Sequence, residues 1–213
     1  EFSPAVQEYV NYNIPDWMGT EEFKVLMSYV EPYSFLEKFT MPKYIINAGS
    51  DEFFSTDSWR FYYEELPENK LIRYVPNANH SLSGEYLSND LVSFFYRLVN
   101  NIDLPVLEWD LVDGNLKVYL DYDGEYSVSI WRAFNEDGRD FRLWQEGELW
   151  KESKIDVNED NIYNIELDNQ SDGYQAIMVE FNLDQDSQFP LKISTGPYVI
   201  PDSYPYEKYQ PLK

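Results

Sequence analysis

The sequence contains a single histidine, His80, and a candidate acid at a matching position, Asp51. His80 lies in VPNANHSL and Asp51 lies in NAGSDEFF, each just after a short apolar run. A carboxylate beside an imidazole can hold one tautomer, so that the second ring nitrogen acts as a general base. Two simpler explanations stay open. A turn histidine often bonds nearby backbone, and an aspartate after a glycine often closes an Asx turn.

The apolar runs predict the strands that position these two residues. Residues 44–48 and 71–75 have the pattern of buried strands, and residues 56–66 and 89–99 have helical spacing. The expected inward residues are Trp59, Tyr62, Tyr63 and Leu66 in the first helix and Leu91, Phe94, Phe95 and Leu98 in the second. The alternation of strand and helix favours a doubly wound parallel sheet, whose loops converge on one edge. We therefore expect Asp51 and His80 to lie close together.

Changes in the spacing of apolar residues divide the chain into three parts. Residues 3–39 are predicted to be helical, with Thr20 capping a helix that carries Val25, Leu26, Tyr29 and Val30. Helical spacing stops near residue 103. Alternating runs follow at 116–120, 126–133, 162–167, 174–183 and 191–200, with turn signals at Asp113-Gly114 and Asp123-Gly124. About seven strands over roughly 100 residues predict an immunoglobulin-like β-sandwich. The predicted divisions are an α/β part at 1–102, a β-sandwich at 103–200 and an extended tail at 201–213.

A nucleophile does not accompany the acid and the histidine. In α/β-hydrolases the triad runs serine, acid, histidine, and the serine stands on a G-x-S-x-G elbow. The sequence has no such elbow, and Ser50, Ser55 and Ser81 lie too close to Asp51 or His80 in sequence. None of these serines has the paired glycines that a sharp turn needs. The residues therefore predict the C-terminal part of an α/β-hydrolase-like sheet, with its last two parallel strands.

Several motifs resemble one known family. Residues 30–82 carry PK-x-I-x-N-A-x-x-DEFF and VPNA-x-HS, and 128–143 and 173–181 follow in the second part. These stretches resemble the PhoPQ-activated pathogenicity-related proteins, a family similar to α/β-hydrolases that includes secreted proliferation repressors of amoebae. The resemblance covers nearly the whole chain and implies that Asp51 and His80 stand where the triad acid and base would. It also implies that the serine belongs to a preceding segment of a larger protein.

Composition narrows the partners and cofactors. A formal net charge of −23 repels nucleic-acid phosphates and anionic membranes, so neither is an expected partner. The absence of cysteine excludes disulfides and thiolate chemistry. Asp156, Asn158 and Asp160 have calcium-loop spacing but lack the glycine and glutamate that complete such a loop, so neither a metal nor a cofactor is predicted.

Asn169-Gln170-Ser171 is a glycosylation acceptor only in a eukaryotic secretory route. The expected location is secreted or periplasmic.

Two functional hypotheses follow. The first is part of a secreted serine-hydrolase-like protein that cleaves esters or peptides, with Asp51 orienting His80 and the serine outside this chain. The chain alone would then be inactive. The second is a non-catalytic signalling or binding protein that uses the hydrolase fold as a scaffold, since fold does not decide function. A weaker third hypothesis, a carbohydrate-binding sandwich, needs exposed Trp or Tyr side chains aligned on one sheet face.

The short parallel sheet predicts a partner. Two such strands cannot cover both faces of a sheet, so Ile45, Ile46, Ile72 and Val75 are expected at an open edge with unpaired backbone groups. We expect a missing N-terminal segment, another copy or a companion chain to pack on the strand at 44–48.

Overall fold

The N-terminal segment is helical, as its spacing predicts. A computed structural model describes residues 2–82, 87–167 and 172–211, so Asn169-Gln170-Ser171 lies outside the described residues. The helices are α1, Gln7–Asn11, and α2, Glu21–Val30, with 3₁₀ turns at Pro4–Val6, Ile14–Trp17 and Pro32–Lys38. Thr20 caps α2 as predicted, because its Oγ1 accepts the N–H of Phe23 at 3.2 Å. The apolar residues of α2 face solvent, with 47% to 78% exposure at Leu26, Val25, Val30 and Tyr29.

The two predicted strands are present and parallel. Strand β1 is Lys43–Ala48 and β2 is Lys70–Val75, with Lys43 opposite Lys70 and Ala48 opposite Val75. Helix α3, Ser88–Val99, follows β2 and matches the second predicted helix. The molecule thus has the mixed helix and strand content that the alternation predicts. Among the described residues, no helix is long and apolar enough to cross a membrane.

The helix predicted at 56–66 is wrong. The segment forms a 3₁₀ turn at Ser58–Phe61 followed by further turns. Side chains and loops compete for its backbone and polar groups, because the Tyr74 hydroxyl accepts the N–H of Trp59 at 3.1 Å and Thr56 donates to the carbonyl of Gly49 at 3.1 Å. The spacing nevertheless placed the right residues inward, since Trp59, Tyr63 and Leu66 are all buried.

The inward face predicted for α3 is also partly wrong. Leu91 and Phe95 are 50% and 64% exposed, whereas Asp90, Ser93 and Arg97 are buried. The helix packs beside strand β9, Leu191–Ser194, where Asp90 accepts the N–H of Lys192 at 2.8 Å. Its buried charges are paired with other elements: Asp90 accepts from Arg73 of β2, and Arg97 donates to Asp184 at 2.6 Å. A charged side chain can be buried when it is paired in this way.

The second half of the chain forms two antiparallel sheets. Its further strands are β3 Val106–Val112, β4 Asn115–Asp121, β5 Tyr126–Asn135, β6 Lys151–Ile155, β7 Ile162–Glu166, β8 Tyr174–Leu183 and β10 Tyr198–Ile200, and a short helix, α4 Leu143–Glu146, precedes β6. The order is β3-β4-β7 in one sheet and β10-β8-β5-β6 in the other, where β9 also pairs with β8. The predicted Asp113-Gly114 hairpin joins β3 and β4, and both turn residues have positive φ. Apolar residues of both sheets fill one core.

The single strand predicted at 191–200 is two strands. The break falls at Gly196 and Pro197, between β9 and β10. Proline cannot donate to a strand ladder, and a Cβ at Gly196 would lie 2.2 Å from the Trp59 ring. Strands β3 and β6 were not predicted individually.

The two halves of the chain share their cores. Strand β2 lies beside β9, where the N–H of Tyr74 donates to Ser194 Oγ at 2.8 Å. Ile72 and Val75, expected at an open edge, are each 1% exposed and thus covered, although β2 pairs with β1 alone among the described strands. The division at 1–102, 103–200 and 201–213 stays a prediction. Because the cores are shared, the second half can influence the loops that follow β1 and β2.

Candidate active site

The loops after β1 and β2 bring Asp51 and His80 together. The loops are tied directly, because Gly49 N–H donates to Val75 O at 2.7 Å and Ser50 N–H donates to Ala78 O at 3.1 Å. Nδ1 of His80 lies 3.0 Å from Oδ2 of Asp51. The proximity expected from parallel strands ending at one edge is therefore present in the structure.

Asp51 is held by its own loop. Its Oδ1 accepts the backbone N–H groups of Phe53 at 2.7 Å and Phe54 at 3.2 Å, while Oδ2 faces His80. The side chain is only 7% exposed. The simpler explanation, an Asx turn, is thus correct for one carboxylate oxygen and leaves the other for the imidazole. Two backbone donors and one ring nitrogen fix the direction of the carboxylate.

His80 has one ring nitrogen held and the other available. Its backbone N–H donates to Glu52 Oε2 at 3.1 Å, and the rings of Phe53 and Phe54 lie 4.6 Å and 5.6 Å from the imidazole. The side chain is 44% exposed. Nε2 makes no hydrogen bond within the described part of the chain. With Asp51 accepting from Nδ1–H, Nε2 carries the lone pair that a general base needs.

Among the described residues, no serine hydroxyl forms a hydrogen bond with His80, although Ser3 Oγ donates to the carbonyl of Glu52 at 2.9 Å beside the acid loop. The hydroxyl of Ser50 is fully buried and has no hydrogen-bond partner, and Ser81 donates to Asn79 Oδ1 at 2.8 Å. Ser55 is exposed on the acid loop and makes no hydrogen bond to His80. The exclusion of Ser50, Ser55 and Ser81 as the nucleophile stays a prediction.

Comparison with known proteins gives the family. A family model described as PhoPQ-activated pathogenicity-related protein matches residues 1–142, a range that contains both Asp51 and His80. The chain belongs to the PhoPQ-activated pathogenicity-related protein family.

One curated relative aligns with nearly the whole chain. The chain is 28% identical over 234 residues to autocrine proliferation repressor protein A of Dictyostelium discoideum, in an alignment that covers 97% of this chain and 47% of the relative. The chain therefore spans about half the length of this relative. No solved structure was found to match the chain.

The three residues after Asp51 in the sequence DEFF also hold the site together, and the sequence did not predict these contacts. Glu52 holds the backbone of His80, and Phe53 and Phe54 both donate to Asp51 and flank the imidazole. The acidic and aromatic residues directly after Asp51 were the available signal, but their partners lie on another loop and cannot be read from spacing.

A cleft of about 710 Å³ opens beside the acid loop of this PhoPQ-related protein. One wall is the segment 51–56, and the other is the segment 135–146 of the second half, including Asp140 and the half-exposed Trp144. Burial alone would raise the pKa of Asp140, but hydrogen bonds from Arg142 hold that pKa below its usual range. The wall of the cleft formed by the second half thus carries an ion pair between Asp140 and Arg142.

Proposed function

We propose that this chain supplies the acid and the base of a serine-hydrolase-like protein that cleaves esters or peptides outside the cytoplasm. The observation that carries the proposal is the 3.0 Å contact between Asp51 and Nδ1 of His80, with Nε2 available. Asp51 orients the imidazole, and His80 takes the proton of a serine that lies outside this chain. Without that serine and its oxyanion donors, these residues alone turn over nothing.

The strand order supports an α/β-hydrolase-like sheet in the first half and an immunoglobulin-like sandwich in the second. In this proposal β1 and β2 are the last two parallel strands of an α/β-hydrolase-like sheet, and the acid and histidine follow them in the chain order of that fold. The second half is assigned as an immunoglobulin-like sandwich. Strands β3, β4 and β7 share one sheet, and β5 and β8 share the other. By their order in the second half they correspond to strands A, B and E and to strands C and F of the immunoglobulin fold, which are divided between the two sheets in the same way.

The test is covalent labelling of the full-length gene product with a fluorophosphonate probe, which reacts with an activated serine. We expect the full-length protein to be labelled and the 213-residue chain not to be labelled. His80→Ala should abolish labelling of the full-length protein, because the serine then has no base. Mass spectrometry of the labelled peptide would identify the serine.

Two outcomes would contradict the proposal. A folded full-length protein that resists the probe is not a serine hydrolase, and labelling that survives His80→Ala assigns the base elsewhere. Val157→Ala is a suitable control for general effects, because Val157 is 49% exposed in the loop after β6 and lies on neither the acid loop nor the histidine loop.

The competing function is signalling without turnover. The Dictyostelium relative is named an autocrine proliferation repressor, and that name describes no cleavage reaction. A folded, unlabelled protein would favour this function. The carbohydrate-binding hypothesis has less support, because it needs a row of exposed aromatic side chains. On the described β-strands of the second half, Tyr119 is the one Trp or Tyr residue that is exposed.

The open edge of β1 is a second part of the proposal. Within the described residues β1 pairs with β2 alone. Lys43 and Gly49 donate toward the β2 side, so the alternation of a strand leaves the N–H groups of Tyr44, Ile46 and Ala48 on the open edge. Unpaired edges of this kind bind another strand readily.

Apolar surface lies on both sides of this edge. On one face a groove of about 820 Å³ is lined by β1 and by Leu36, Phe39, Met41 and Phe61. On the other face α3 exposes Leu91, Val92, Phe95 and Val99. Parallel sheets are normally covered on both faces. One folded segment that adds strands to β1 would bury both apolar surfaces.

We infer that the occupant is a preceding segment of the same full-length polypeptide. The Dictyostelium relative has about as much chain again outside the matched part, since the match covers 47% of it. A second copy would add another chain of net charge −23, so the two copies would repel each other. A covalently attached segment also avoids most of the entropy cost of association.

Hydrogen exchange tests this occupant. In the full-length protein we expect the amides of Tyr44, Ile46 and Ala48 to exchange at least about 100-fold more slowly than in the 213-residue chain. The internal control is β8, which pairs on both sides and should be protected equally in the two proteins. Equal exchange of the β1 amides in both would contradict the proposal. Protection that appears only as the 213-residue chain dimerises would assign the edge to a second copy.

A further inference from the structure

Trp150 connects the two loops that carry Asp51 and His80. Its indole Nε1–H donates to the carbonyl of Gly49 at 3.1 Å, next to the acid loop. Its backbone makes two bonds with Asn77 on the histidine loop: Trp150 N–H donates to Oδ1 at 2.9 Å, and Nδ2 donates to Trp150 O at 3.0 Å. Trp150 is 2% exposed and comes from the second half of the chain.

The loop residues are suited to this contact. Asn77 has a φ of 53°, a left-handed conformation that asparagine tolerates better than most residues. At Gly49 a Cβ would lie 3.1 Å from the indole Nε1 and 3.0 Å from Val75 O, so glycine allows the close approach. The bond from Leu143 N–H to Ser50 O, at 3.1 Å, adds a third link from the same segment.

We propose that Trp150 is a positioning residue that sets the distance between Asp51 and His80. The indole fixes the start of one loop, and its backbone fixes the start of the other. The second half of the chain is thereby part of the apparatus that aligns the acid with the base. The consequence for catalysis rests on the proposed function, but the positioning itself is measurable without any substrate.

The test uses the fact that His80 is the only histidine in the sequence, so its imidazole NMR signals need no assignment. Trp150→Phe keeps a buried ring and removes the N–H. In this variant we expect the Nδ1 proton to exchange with water about five to ten times faster, since one hydrogen bond has been lost. The ¹⁵N shifts should also move from those of the Nδ1–H tautomer toward those of the Nε2–H tautomer, which is the tautomer expected in Asp51→Asn.

The matched control is Trp109→Phe. The Nε1 of Trp109 is buried but has no hydrogen-bond partner in the described structure, so this change makes the same replacement of indole by phenyl without breaking a hydrogen bond to either loop. The His80 signals should stay as in the unchanged protein. Equal effects of the two substitutions, or none in a folded Trp150→Phe variant, would overturn the proposal.

A second variant keeps the test decisive if Trp150→Phe does not fold. Asn77→Asp retains an acceptor for Trp150 N–H but replaces the donor to Trp150 O by a charged oxygen. We expect the same change of the Nδ1 proton, and an unchanged signal would again overturn the proposal. If the NMR effects appear while the full-length protein resists fluorophosphonate labelling, the positioning role stands and the hydrolase function fails.

Discussion

Asp51→Asn is expected to slow fluorophosphonate labelling of the full-length gene product by about 10⁴-fold. An asparagine amide in the place of Oδ2 can donate to Nδ1 of His80, which stabilises the tautomer protonated at Nε2. That nitrogen then has no lone pair with which to accept the serine proton. The measurement is the second-order rate constant of labelling, with the fold of the variant checked by circular dichroism.

The neighbouring acid provides the control for this prediction. Glu52 bonds the backbone N–H of His80 and not its ring, so Glu52→Gln retains an oxygen acceptor at the same place. We expect its labelling rate to stay within about tenfold of the unchanged protein, as a small misplacement of the loop would predict. If both substitutions had equal effects, Asp51 would have no special role in orienting the imidazole.

Asp90→Ala is expected to destabilise the chain by about 3–5 kcal/mol, because it leaves the charge of Arg73 buried without its main partner. The two side chains are 8% and 5% exposed, and Asp90 also accepts the N–H of Lys192 at 2.8 Å. Glu180 lies 4.0 Å from Arg73 Nε and offsets part of the loss. Burial raises the pKa of Glu180, while Lys192 and Arg73 act in the opposite direction. Urea unfolding would measure the change.

A surface pair shows what an exposed ion pair contributes by comparison. Glu21 and Lys24 are 83% and 62% exposed, and Glu21→Ala should cost no more than about 0.5 kcal/mol. The double variant Arg73→Met with Asp90→Leu should recover part of the stability lost in Asp90→Ala, because both charges of the pair are removed and Glu180 keeps Lys192 at 3.7 Å. The recovery is incomplete because the N–H of Lys192 still lacks its acceptor. A single substitution at Asp90 that costs as little as Glu21→Ala would show that Arg73 finds water or another acid.

Particular elements show how far spacing predicts this fold. Strands β1 and β2 and helix α3 follow from apolar periodicity, and the parallel order follows from their alternation. The segment 56–66 has the same helical spacing but forms turns, because Tyr74 and Gly49 bond its backbone and side chains from elsewhere. Periodicity reports which side of a segment faces inward, and it does not report which groups will compete for the backbone.

The candidate site, like the fold, was only partly predictable from the sequence. The sequence by itself determined that Asp51 and His80 follow successive parallel strands, and this order is sufficient to bring them to one sheet edge. Only the tertiary structure decided that α3 buries its charges and exposes Leu91 and Phe95, and that Trp150 joins the two loops. The physical reason is that buried polar groups must find partners, and those partners come from strands far away in the chain.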